Sequence, residues 1–385
     1  MTTDYAAIYD HQITTNPSCA LGDRSRTFTA ILACLVALVT TAWITPRAAA
    51  EPVRTLDVYG TDELDVATLR AEFGADLDRL ASLYFEDDRE PFGELREDLT
   101  ERIGAGHDFA FIKLSVVPGW GAADTVPLWT TVDVVEAEDA ARRMPFRDEP
   151  TGTPADPGGL IERWTEYERT GNGLMRSGNL GSIRCDALHC LHGFAHPDLA
   201  PFGEEFDRGV PAHRDELLGV LRSDAEPGHR AAAAFLLAHT RDAEFTAVAL
   251  TDAIFDPSYV VRNAAMRVLG QMGRTPEYAA LIPIEPILVA VDFPTVYDRN
   301  KALTTLRWLV ATPEGKHATV TRAGDQLMAM LRLETGPNRG PAHQVLCRLS
   351  GEEFGERDHA AWQGWLDGYA ASLDRADADA RAESP

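Results

Sequence analysis

Lysine is almost missing from this chain: of its 36 basic residues only Lys113, Lys301 and Lys316 are lysines, against 60 acids, and the net charge is −24. Nucleic-acid affinity rests on Lys and Arg neutralising phosphates, and adhesion to anionic membranes needs the same positive surplus. The opposite surplus excludes both classes and favours protein partners with cationic surfaces. Cysteine is scarce too, with five in 385 residues. No HExxH and no paired CxxC occurs. The glycines of GNGLMRSGNLG (171–181) lack a preceding strand and the lysine of a phosphate cradle. Acidic clusters such as Glu86, Asp87 and Asp88 read as solvated turns rather than as a general acid and base. No cofactor is expected from such a set.

Long apolar runs are also lacking, with one exception. Phe28 to Ile44 follows Arg24 and Arg26 and precedes Pro46 and the triplet Ala48, Ala49, Ala50. That order of charge, apolar run and small residues is a secretory signal peptide over 1–50, cleaved after Ala50. An uncleaved anchor is the rival, because the run approaches the ~18 residues that can span a bilayer. With cleavage the mature chain has no membrane insertion and is periplasmic or secreted. Cys19 and Cys34 leave with the signal, so an oxidising compartment predicts one local disulfide, Cys185 to Cys190, and a leftover thiol at Cys347.

The fold class expected is multidomain and mainly α: a small N-terminal α+β domain (β-α-α-β-β) over 53–143, then an α-solenoid over 211–370. VRTLDVYG alternates as a half-buried strand does. Leu69, Phe73, Leu77 and Leu80, then Leu95, Leu99 and Ile103, recur at helical spacing. FAFIKLSVV and LWTTVDVVEAE are two further strands, with Ala110, Ile112, Leu114 and Val116, and Leu128, Thr130, Val132 and Val134, each on one side. This order, with Gly60 closing the first strand, resembles a POTRA domain over about 53–138, which implies client binding by strand addition at a sheet edge. FRDEPTGTPADPGG predicts a linker over 146–159. A connector over 160–210 holds the short helix LIERWTEYERT.

From Pro211 the chain repeats itself. RAAAAFLL, RNAAMRVL, RNKALTTL and RGPAHQVL share the pattern R-x-x-A-x-x-x-L at Arg230, Arg262, Arg299 and Arg339, spaced by 32, 37 and 40 residues. Each follows a first-helix candidate: DELLGVLRS, FTAVALTDAIF, IEPILVAVDF and DQLMAMLRL. A small Ala where two helices approach and a Leu one turn on let helix pairs stack into a continuous core. These units resemble HEAT repeats of the kind found in phycobilisome-lyase-like proteins. The resemblance implies that the four arginines tie successive turns together, and it implies no lyase activity. Phe354, Trp362 and Trp365 are expected to close the stack, and the acidic tail over 371–385 to be disordered.

CDALHCLHGFAH (185–196) is the remaining concentration of chemistry. On a helix, Cys185, His189, His192 and His196 would share one stripe. Eleven helical residues rise ~16 Å, however, while the ligands of one zinc ion lie within ~4 Å of each other. At most two or three could share an ion. A Cys185 to Cys190 disulfide with packed histidines is the preferred reading. A metal-binding protein or metal-dependent hydrolase on the four residues is the alternative. The function expected is therefore an exported, non-enzymatic interaction or scaffold protein, using the solenoid and the N-terminal domain to hold a protein partner.

Overall fold

The computed structural model describes residues 54–86, 88–119 and 127–382. The expected signal peptide lies outside them. Strand β1 (Arg54–Tyr59) leads into helices α1 (Val66–Phe85) and α2 (Arg89–Gly104), and strands β2 (Phe109–Pro118) and β3 (Leu128–Glu136) follow. Asp65 starts α1 by accepting the backbone N–H of Thr68 at 2.9 Å. The two-helix crossover leads into β2 at the far edge of the sheet, and β3 then runs between the two, parallel to β1. The sheet order is therefore β1-β3-β2, with β3 central and antiparallel to β2. Leu69, Phe73, Leu80, Leu99 and Ile103 pack onto Leu56, Leu114, Val132 and Val134. Ala110 departs from its expected side and is exposed, because a register shift between Phe109 and Phe111 resets the alternation. Gly60 has φ +99°, and a Cβ there would run into Val134 O and the Arg143 guanidinium.

Helices α3 (Ala140–Arg143), α4 (Leu160–Arg176) and α5 (Ala200–Ala212) come next. The repeats then follow as the pairs α6 (Arg214–Ser223) with α7 (Pro227–Leu236) and α8 (Ala243–Ala253) with α9 (Tyr259–Met272). After the short α10 (Pro276–Ala279) come α11 (Ile284–Ala290) with α12 (Val296–Leu309), and α13 (Pro313–Leu331) with α14 (Gly336–Ser350). Helix α15 (His359–Ala382) closes the series. The second helices stack in order, α7 on α9, α9 on α12, and α12 on α14. Ala233, Ala265, Ala302 and Ala342 are fully buried, as are Leu237, Leu269, Leu306 and Leu346. The repeated Ala and Leu thus form the spine of one core. At its end Trp362 is fully buried against Phe354, with ring centroids 5.0 Å apart.

Three stretches differ from expectation. Helix α15 continues to Ala382, where a disordered tail was expected, because every second residue from Ala376 is alanine and helix propensity outweighs the charge. The connector holds a helix pair of its own, α4 and α5, whose Trp164, Tyr167, Phe202 and Phe206 join the solenoid core. The stretch expected as a linker is a strap laid along the turns of the stack. Arg147 N–H donates to Phe255 O at 2.9 Å, Gly152 N–H to Ser223 O at 2.8 Å, and Ala225 N–H to Gly152 O at 2.8 Å.

Candidate functional site

The four repeat arginines line one edge of the stack, each at the start of a second helix. Arg230 grips Asp256 through Nε and Nη2, at 2.9 and 2.8 Å, while Nη1 donates to Asp224 O and Ala225 O. Arg262 grips Asp298 the same way, at 2.9 and 2.8 Å, and donates to Asp256 O and Pro257 O. Arg339 pairs with Glu356 and donates to Leu333 O and Glu334 O. Each guanidinium therefore closes the turn before its own helix and reaches an acid further along the chain. Two-pronged pairs of this kind are directional as well as strong.

Arg299 breaks the series. The residue in line with Asp298, one position before the next arginine, is Asn338, and Arg299 Nε donates to its Oδ1 at 3.1 Å. The missing carboxylate comes from the N-terminal sheet: Arg299 Nη2 meets Asp133 Oδ1 at 2.5 Å, with both side chains fully buried. The other Asp133 oxygen accepts Val296 N–H at 2.9 Å. Asp57, on β1, accepts the backbone N–H groups of Glu334 and Thr335 at 3.1 and 2.6 Å. Tyr59 lies 3.9 Å from the Arg299 guanidinium carbon and donates its hydroxyl to Asp292. Burial pushes the Tyr59 phenol up to about 12, opposed by Arg299.

The second face of the sheet is thus a plug on the solenoid, and β1, expected to be half-buried, is buried on both faces, with Leu56 on one and Asp57 and Tyr59 on the other. Ser115, Thr131, Asp133 and Val135 are all buried. The strap completes the row, with Glu149 on Arg230 and Phe146 under Arg262 at 4.0 Å. None of Asp57, Tyr59, Asp133 or Asn338 was singled out from the sequence. Sequence offered no distinguishing signal, because Asp133 between Val132 and Val134 equally suits the solvated side of an alternating strand.

The Cys/His segment is irregular rather than helical, and it lies across α4 and α7. Cys185 and Cys190 are joined by a disulfide. His196 accepts Asp198 N–H at 3.1 Å and stays at the surface. His189 stacks on Phe235, with ring centroids 5.4 Å apart, and His192 packs closely against Gly171 of α4. Burial, aided by the Arg267 charge, lowers His189 to about 3 and His192 to about 4. Among the described residues no group of three His, Cys, Asp or Glu side chains is placed to hold a metal ion. The stripe of Cys185, His189, His192 and His196 does not exist, because no part of 177–199 is helical, and Gly193 adds a left-handed turn at φ +70°. Cys347, in the second helix of the last repeat, is buried, and its sulfur lies 3.6 Å from His343 Nε2.

A family model for HEAT repeats matches residues 214–284, from α6 to the start of α11. The chain carries HEAT-like repeats, and the match falls on the units holding Arg230 and Arg262. No curated protein matches the chain. No helix among the described residues is long and apolar enough to cross a membrane.

Proposed function

We propose that this protein is an exported, non-enzymatic scaffold that presents one rigid platform to a protein partner. HEAT repeats suggest an interaction role. The observation that carries the reading is Asp133 in the arginine series, because it joins the N-terminal domain and the helix stack into one body. Two independent modules tethering two partners would need a mobile joint, and the strap and plug remove it. The edge bearing the arginines is covered by the chain itself. A partner therefore meets other surfaces, among them the opening between α6 and α8 around Leu218, Phe245 and Val248, where Val248 is 60% exposed. Export is supported by the segment ahead of Glu51 and by the Cys185 to Cys190 disulfide, which belongs to oxidising compartments.

Two measurements test this reading. N-terminal sequencing of protein recovered outside the cytoplasm should begin at Glu51, and a chain retaining Phe28 to Ile44 in the membrane would replace export by anchoring. Photo-crosslinkers placed in the native host at Val248, and at exposed Ala75 on α1, should give a discrete adduct from at least one face. Absence of any adduct from both faces would count against a scaffold.

A further inference from the structure

Residues 177–199 lie as a cover across the first helices of the stack. The cover is held by Leu188 N–H to Ala238 O at 3.1 Å and by His192 N–H to the Tyr167 hydroxyl at 2.8 Å. Beneath it, Trp164, Tyr167, Phe206 and Phe235 pack with Leu191 and Phe194 of the cover itself. Three imidazoles are enclosed there, His189 and His192 from the cover and His239 from the turn after α7. Nδ1 of His189, both ring nitrogens of His192 and Nε2 of His239 are buried without a hydrogen-bond partner.

The charged groups around these rings are unevenly placed. Arg267 of α9 acts on both His189 and His192, and His239 acts on His189. Glu168 of α4 interacts with Arg267. Asp207 of α5 is taken by His239 Nδ1, at 3.2 Å, and by Arg241. The cover's own Arg184 and Asp186 pair with each other at the surface. A proton arriving on His189 or His192 thus finds a cation facing it, while the nearby carboxylates are engaged elsewhere.

We propose that residues 177–199 are an acid-released cover: protonation of His189 and His192 drives the disulfide-closed loop off α4, α7 and α9 and bares the aromatic cluster beneath. This holds whether or not the protein is a scaffold. The sign follows from the two states. Opened, both rings return to the ordinary value of ~6.5, whereas covered they sit at about 3 and about 4. The closed state is therefore favoured fully above ~6.5 and loses ground as pH falls towards 4. Glu168, raised to about 7 by burial, titrates with the opposite sign. Between pH 7 and pH 5 the opening equilibrium rises by roughly 500-fold if Glu168 stays covered, and by roughly 15-fold if it is freed with the loop.

Hydrogen exchange of the full mature protein at pH 7 and pH 5, corrected for intrinsic rates, reads this directly. Peptides from 177–199 should lose protection within that range while those from α12 and α14 keep theirs. The double variant His189→Gln, His192→Gln should show no such response, and Glu168→Gln should bring the response to its upper limit. Should the double variant fail to fold, histidine NMR of the unaltered protein decides the matter: rings that stay neutral in the closed state down to pH 5 are expected. Equal protection at both pH values, a response retained in the double variant, or rings titrating near 6.5 in the closed state would each overturn the proposal.

Discussion

Asp133 is the single residue on which most of the architecture turns. A buried ion pair contributes little net stability when formed, yet removing one member strands the other. Asp133→Ala would leave Arg299 buried, with Asn338 and the carbonyls of Phe293 and Pro294 but no counter-charge, at a cost of about 3 to 5 kcal/mol. The loss should fall on the docking of the sheet, because Arg230 and Arg262 keep their own carboxylates. Urea unfolding with exchange readout should show the N-terminal domain protecting less, with α9 unchanged. Leu269 is the contrasting residue. It is fully buried in the spine, and Leu269→Asp places an unpaired charge there. The expected cost of several kcal/mol approaches a whole domain's stability of ~5 to 15. An unchanged thermal midpoint would mean that the spine is not where the Ala and Leu pattern puts it.

At the scale of elements, helix α4 and the cover test one another. Replacing Gly171 by Ala should stabilise an isolated helix by ~1 kcal/mol. Here the added Cβ runs into the His192 ring, and such overpacking costs ~1 to 3 kcal/mol. Gly171→Ala should therefore lower stability and raise exchange in 185–196, and a higher melting temperature would show that the close approach is absent. The disulfide acts on the same element from the other side. Closing a ring of six residues is worth ~2 kcal/mol in the chain-entropy account. Cys185→Ser should loosen the cover by about that amount and leave α12 to α14 unaffected, since solenoid units depend on their neighbours.

For the whole molecule the strap is the diagnostic segment. A flexible linker rich in Pro, Gly and Asp would be cut quickly by proteases. Residues 146–159 hydrogen-bond to successive turns and place Glu149 and Phe146 on the arginine row. Limited trypsin digestion should therefore spare Arg147 in the native protein and attack it after Asp133→Ala, once the plug lifts and the strap loses its far anchor. Rapid cleavage of the unaltered protein at Arg147 would contradict a one-body platform.

Local pattern alone determined much of this protein. Helical and alternating periodicities placed α1, α2 and the three strands, and the R-x-x-A-x-x-x-L units placed the four helix pairs, because each records which side of an element faces a core. The pairing of Cys185 with Cys190 follows from nearness along the chain. What periodicity cannot record is what lies beyond an element's second face. Asp57, Tyr59 and Asp133 occupy the polar side of alternating strands, where water and a buried counterpart give the same sequence. Only the tertiary structure decided that the counterpart is Arg299 and the turns at 292–298 and 333–337, more than 150 residues away, because burial of a charge is settled by its partner rather than by its neighbours in sequence.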